Sequence, residues 1–239
     1  MQFGFYNDKG LPESVSPPAV DGLEYKLNSH GYRCPEWHPM PNGKKNVVIL
    51  GCSHTFGQGS PEDQHWAHIV SQHNTKRLRY FNLGQPGASG DKIVRVLYGC
   101  EKIIDPRIII VCWPAWSRRE RLGQFAENIT SADESLKVED EHTDKNNFLK
   151  NVFLVEKYAE KNYCLTFHCF AQENYAKHIP QLLALPDYTL RNCWPVWDSH
   201  YQRELVDKHS YALDGVHYGI EHHERFAELL LQRYGNKLK

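Results

Sequence analysis

Val47-Val48-Ile49-Leu50-Gly51-Cys52-Ser53-His54-Thr55-Phe56-Gly57-Gln58-Gly59 is the stretch on which the reading of the fold turns. Its first four residues are a short apolar run closed by glycine, the pattern of a parallel strand buried on both faces. The glycines that follow mark a loop. A helical pattern is predicted over 66–73, and Arg79–Leu83 (RYFNL) reads as a second strand. Asp91–Ile104 carries apolar residues at 93, 94, 96, 97, 100, 103 and 104, the spacing of an amphipathic helix. Ile108–Cys112 (IIIVC) is a third strand. Helix is predicted over 146–161 with Phe148, Leu149, Val152, Phe153, Val155 and Tyr158 inward. Strands follow at 163–167 and 190–196, and a closing helix at 220–234. Strand alternating with helix predicts an α/β fold with a parallel sheet covered on both faces. In such sheets a ligand binds beyond the carboxyl ends of the strands. That rule directs attention to 51–59, 84–90, 113–118 and the segment before the last helix.

Two stretches fall outside the alternation. Residues 1–45 are rich in Pro, Gly, Asn and Ser and read as an extended lead-in to a domain spanning 46–239. Residues 117–147 are charged and too long for a plain connection, so an insertion or flap is expected there.

The residues after the first strand carry a candidate nucleophile. Ser53 stands where a strand gives way to a Gly-rich turn, from which a hydroxyl can face the crevice and nearby N–H groups can meet a developing oxyanion. The α/β-hydrolase elbow GxSxG is excluded because position 55 is threonine, and the P-loop because no GKS or GKT follows. Near the other end, Asp214-Gly215-Val216-His217 places a carboxylate and an imidazole three apart on one loop. Histidine can take the serine proton, and a carboxylate can orient the ring and stabilise its cation. The third segment, Asn82-Leu83-Gly84-Gln85-Pro86-Gly87-Ala88-Ser89-Gly90, offers Gly87 as a backbone donor. Taken singly, each has a structural reading too: a turn serine, a capping aspartate, an ordinary strand-to-helix turn.

Jointly and in this order, the three segments resemble the SGNH hydrolases, also called GDSL-like esterases and lipases. The first block, approximately GDSxTxG in that family, is Gly51-Cys52-Ser53-His54-Thr55-Phe56-Gly57 here, with cysteine in place of aspartate. Gly87 matches the second-block glycine, and Asp214/His217 match the final DxxH. LNSHGYRCPEW before the first block is similar to bacterial and phage members. The resemblance implies a three-layer α/β/α, flavodoxin-like sandwich with a roughly five-stranded parallel sheet. It further implies ester hydrolysis through an acyl-enzyme, with Ser53 as nucleophile, His217 as base and then acid, Asp214 as its orienter, and the N–H groups of Ser53 and Gly87 in the oxyanion hole. The family's third block, GxND, supplies an asparagine donor. The position matching it here is Ala115 in Trp113-Pro114-Ala115-Trp116-Ser117-Arg118, which cannot donate. Losing such a donor costs on the order of 100- to 1,000-fold in turnover, so Ser117 or Arg118 is the candidate substitute. By its flanking charges alone, Arg118 reads as a surface ion-pair residue. Trp113, Trp116, Trp194 and Trp197 lie near strand ends and suit either core packing or a sugar- or acyl-binding wall.

Composition narrows the partners. A net charge of -1 over 239 residues gives no broad footprint for nucleic acid or an anionic membrane. No apolar run approaches membrane-spanning length, and MQFGFYNDKG lacks the form of a secretory signal, which sets a cytoplasmic expectation. Seven cysteines without a CxxC pair suggest buried free thiols. Fourteen histidines without HExxH or a Cys/His knuckle suggest neither a metal nor another cofactor. The expected partner is a small-molecule or carbohydrate ester, with O-deacetylation of a sugar one form of it. A catalytically weak or inactive glycan- or acyl-binding protein on the same scaffold is the alternative, motivated by Cys52 and Ala115. A metal-dependent hydrolase using some of the histidines is a third, weaker reading.

Overall fold

The computed structural model describes residues 17, 19–37, 43–122, 126–129, 141–171 and 211–239. Four parallel strands form the sheet: β1 (Lys45–Gly51), β2 (Leu78–Asn82), β3 (Pro106–Trp113) and β6 (Leu165–Phe170), in the order β2-β1-β3-β6. Alternate residues of these strands feed two cores. Val47, Ile49, Ile108, Ile110 and Cys112 pack with α2 (Trp66–Ser71) and α5 (Ile220–Tyr234). Val48, Leu50, Ile109, Val111 and Trp113 pack with α3 (Gly90–Ile104) and α4 (Glu141–Asn162). Both faces of β1 are therefore apolar because both are covered, giving three layers, α/β/α, as the pattern predicts. Each such side chain, once removed from water, contributes about 1.5–3 kcal/mol.

Residues 117–122 and 126–129 resolve part of the segment read as a flap. β4 (Arg119–Leu122) and β5 (Ala126–Ile129) form a separate antiparallel pair. Arg95 of α3 holds Glu120 through two hydrogen bonds, and Arg119 pairs with Asp144 of α4. The hairpin is thereby clamped to the helical layer by charge. Arg95 and Glu120 are nearly buried, which is where such pairs hold their geometry.

Three local expectations need correction. Helix α4 begins at Glu141, not 146, and Phe153 is 50% exposed rather than inward. The buried stripe is Phe148, Val152, Val155 and Tyr158, and Phe153 lies about 140° around the helix from Phe148. The following strand is Leu165–Phe170 rather than 163–167: Tyr163, at φ 54 and 91% exposed, ends α4 in the left-handed conformation. Four strands are described where about five were expected. The stretch 190–196, with Trp194 and Trp197, lies outside the described residues.

The lead-in joins the core. Tyr32 and Trp37 pack with the α3/α4 layer, and His30 stacks on Trp37. The six described cysteines are free thiols, four of them buried.

Candidate active site

In the order β2-β1-β3-β6 the chain runs from β1 outward to β2 and later back across to β3, so the topological switch lies between β1 and β3. In open parallel sheets the ligand site lies beyond the carboxyl ends of the strands at such a switch. Ser53 follows β1, and Ala115 to Arg118 follow β3, one on each side of the switch.

Ser53 is the first residue of a single helical turn, α1 (Ser53–Phe56), with Cys52 as an extended N-cap. Its carbonyl accepts the N–H groups of Gly57 and Gln58 at 2.9 and 3.0 Å, which closes the turn tightly. The residue is buried, 6% exposed. A second loop braces this turn. Asn82 donates to the Thr55 carbonyl at 2.9 Å and accepts the Gly84 N–H at 3.0 Å, while the Gln85 N–H donates to the Gly51 carbonyl at 3.0 Å. Gly87 follows at φ 71, the left-handed region that glycine occupies without strain.

The Asp214–His217 loop sits directly on the Ser53 loop. Leu213 donates its N–H to the Gly59 carbonyl at 2.8 Å. Gly59 has φ 79, and a Cβ there would stand 2.7 Å from Asp214 Cγ, so only glycine allows the approach. Asp214 Oδ2 lies 2.6 Å from His217 Nδ1, and Oδ1 accepts the N–H groups of Val216 and His217 at 3.0 and 2.9 Å. Burial alone would raise the Asp214 pKa. Those backbone N–H groups, the imidazole hydrogen bond and the His217 charge outweigh burial and hold the carboxyl below its ordinary value. Asp214 thus fixes the ring and leaves Nε2 for other work. His54 completes the contact: its ring centroid is 5.4 Å from that of His217, edge to face, and 5.5 Å from that of Tyr218, stacked. Burial pushes the His54 pKa down to about 3, reinforced by the His217 and Arg118 charges, so this ring is neutral. Among the described residues no hydrogen bond joins the Ser53 hydroxyl to His217 directly. In unliganded sites such bonds are often formed only when substrate arrives.

The structure therefore brings the Ser53, Gly87 and Asp214–His217 loops together. It places Ala115 buried at the end of β3 and Ser117 and Arg118 half-buried beyond it. Among the described residues Arg118 is half-buried and makes no ion pair, unlike the surface ion-pair residue its neighbours suggest: Arg119 and Glu120 make the ion pairs, with Asp144 and Arg95. Trp113 is a core residue whose Nε1 donates to His168 Nδ1 at 2.9 Å, and Trp116 packs partly buried under Lys145. No group of three His, Cys, Asp or Glu suited to a metal occurs among the described residues, and none of their helices is long and apolar enough to cross a membrane.

Sequence reasoning missed the lead-in's role. Arg33, its side chain fully buried, donates to the carbonyls of Phe56, Gly57 and Ser60 at 3.2, 2.8 and 2.9 Å and to Glu62 at 2.6 Å. Tyr25 accepts the Gly59 N–H at 2.9 Å. One cation thus satisfies the carbonyls of the loop behind Ser53, and no spacing in a Pro/Gly-rich segment announces that. Arg33→Ala leaves those carbonyls and Glu62 without their donor, which should cost about 3–5 kcal/mol and lower the calorimetric melting temperature by roughly 10 °C. A melting temperature matching wild type would refute the strut.

No family model matches the sequence, and no curated protein matches it significantly. Solved structures match in fold. The psychrotrophic esterase EstA from Pseudoalteromonas sp. gives a TM-score of 0.52 at 10% identity, covering 82% of this chain and 99% of EstA. TesA gives 0.50 at 11% identity, covering 80% and 99%. The acetyl xylan esterase AlAXEase gives 0.50 at 14% identity, covering 79% and 98%. The chain shares the α/β/α sandwich fold of these proteins.

Proposed function

We propose that this chain is a serine ester hydrolase in which Ser53, His217 and Asp214 act as a triad. The observation that supports it most is the docking of an Asp–His pair, joined at 2.6 Å, onto the loop that carries Ser53. In this reading Ser53 Oγ attacks the ester carbonyl while His217 Nε2 takes its proton. Asp214, held ionised, stabilises the imidazolium that results. The tetrahedral oxyanion is met by the N–H groups of Ser53 and Gly87, with Ser117 or Arg118 in the place of the donor that Ala115 lacks. His217 then returns the proton to the leaving alcohol, and water, activated by the same imidazole, releases the acid from Ser53.

The substrate is a small-molecule or carbohydrate ester. O-deacetylation of a sugar is one form of it, and a protein of the same fold bears the name acetyl xylan esterase. The domain proper spans 46–239, with Tyr25 and Arg33 of the lead-in bracing its nucleophile loop.

A second reading, a binding protein on the same scaffold, is favoured by Ala115 and by the missing Ser53–His217 bond. A fluorophosphonate probe separates the two, because it reacts only with an activated serine. Labelling that maps to the peptide containing Ser53 is expected. Folded protein that stays unlabelled, yet binds a glycan, would favour the second reading.

A further inference from the structure

The half-buried Arg118 stands just beyond the carboxyl end of β3, held in a turn by its N–H to the Ala115 carbonyl at 3.0 Å. Its Nε and Nη1 are buried and, among the described residues, have no hydrogen-bond partner. Among the described residues no carboxylate pairs with Arg118: on the adjoining positions Asp144 is taken by Arg119 and Glu120 by Arg95, and across the site Asp214 is taken by His217. The guanidinium stands close enough to the residue after Ser53 for its charge to oppose protonation of His54. Guanidinium nitrogens withdrawn from water without a counter-ion are unfavourable, and the fold keeps these two at the carboxyl end of β3, across the switch from the strand that leads into Ser53. A guanidinium presents a planar fork of donors that suits an anion with two or more oxygens, whereas a tetrahedral intermediate offers one oxygen that backbone N–H groups already reach.

We propose that Arg118 receives an anionic group of the substrate, so that the preferred ester carries a carboxylate or a phosphate near its scissile bond. This rests on the esterase reading of the Ser53 site and assigns the third oxyanion donor to Ser117.

The test compares p-nitrophenyl hydrogen succinate with the neutral p-nitrophenyl butyrate, in wild type and in Arg118→Gln. Wild type should favour the anionic ester in kcat/KM, and the variant should lose on the order of 10- to 100-fold more on that ester than on the neutral one. Succinate and inorganic phosphate, tried as inhibitors of butyrate hydrolysis, distinguish the two anions, and either inhibition should weaken in the variant. Removing two buried, unpaired guanidinium nitrogens should also leave the melting temperature of Arg118→Gln unchanged or raised. An equal loss on both esters would make Arg118 the oxyanion donor and overturn the proposal, as would a wild type indifferent to substrate charge and to both anions. If wild type hydrolyses neither ester but binds succinate or phosphate calorimetrically in an Arg118-dependent way, the esterase reading fails and the anion site stands.

Discussion

Ser53→Ala should reduce kcat/KM on p-nitrophenyl acetate by at least about 10,000-fold while leaving the fold intact. The size follows from what a triad does. Removing the nucleophile leaves only substrate binding and the oxyanion donors, and water must then attack without covalent help. The change deletes one hydroxyl oxygen at a position 6% exposed, within a helical turn closed by backbone bonds from Gly57 and Gln58 that alanine keeps. Stability should therefore move by no more than about 1 kcal/mol. A stronger form of the test adds His217→Ala. If Ser53 and His217 act as one unit, the double variant should be no slower than either single one, because removing one partner already idles the other. Multiplying losses would mean that the two side chains contribute separately, and unchanged turnover in Ser53→Ala would dismiss Ser53.

What the sequence makes legible here follows from the range of the interaction that encodes it. The apolar run Val47–Leu50 and the alternation around it report burial on both faces of a sheet, a local pattern with a global consequence, and the sheet order places Ser53 at the switch as that pattern requires. The Asp214–His217 pair is legible for the same reason: both partners lie on one loop, and Asp214 Oδ1 caps the loop while Oδ2 orients the ring. Arg33 leaves no such trace. Its partners at 56, 57 and 60 are main-chain carbonyls, which every residue has, so nothing in their side chains reveals the contact. The β4–β5 pair escapes notice because RERL has no apolar alternation. It is held by cross-layer ion pairs between residues 25 positions apart in the chain. Tyr163 shows a third kind of gap. Helix ends usually announce themselves with glycine or asparagine, and a tyrosine in the left-handed conformation hides the boundary.

Below neutral pH the fold should lose stability steeply, because its buried imidazoles serve as acceptors. His65 is the N-cap of α2, its Nδ1 accepting the His68 N–H at 3.2 Å, and His223 Nδ1 accepts the Trp66 N–H at 3.2 Å. Protonation converts both acceptors into donors and undoes the start of α2, whose Trp66 also donates to the His54 carbonyl beside Ser53. Burial pushes His65 down to about 4 and His54 to about 3, and holds His223 well below its ordinary value. The unfolded chain, with ordinary histidines near pKa 6.5, takes up protons first as pH falls. Stability is therefore complete above about pH 6.5 and is lost on acidification through the window down to those depressed values. For His65 alone the loss at pH 5 is about 2 kcal/mol, and His54 and His223 add in the same direction. Glu62 gives no relief. Burial would raise its pKa, but the His65 ring 3.7 Å away and the hydrogen bond and charge of Arg33 hold it at about 2, so its own contribution is lost only below about pH 4.5. Urea unfolding followed from pH 8 to pH 5 should show the decline. His65→Asn supplies a cap acceptor that does not titrate, so that variant should lose about 2 kcal/mol less between pH 7 and pH 5 than wild type. Parallel pH profiles for the two proteins would show that His65 is not a source of the acid sensitivity.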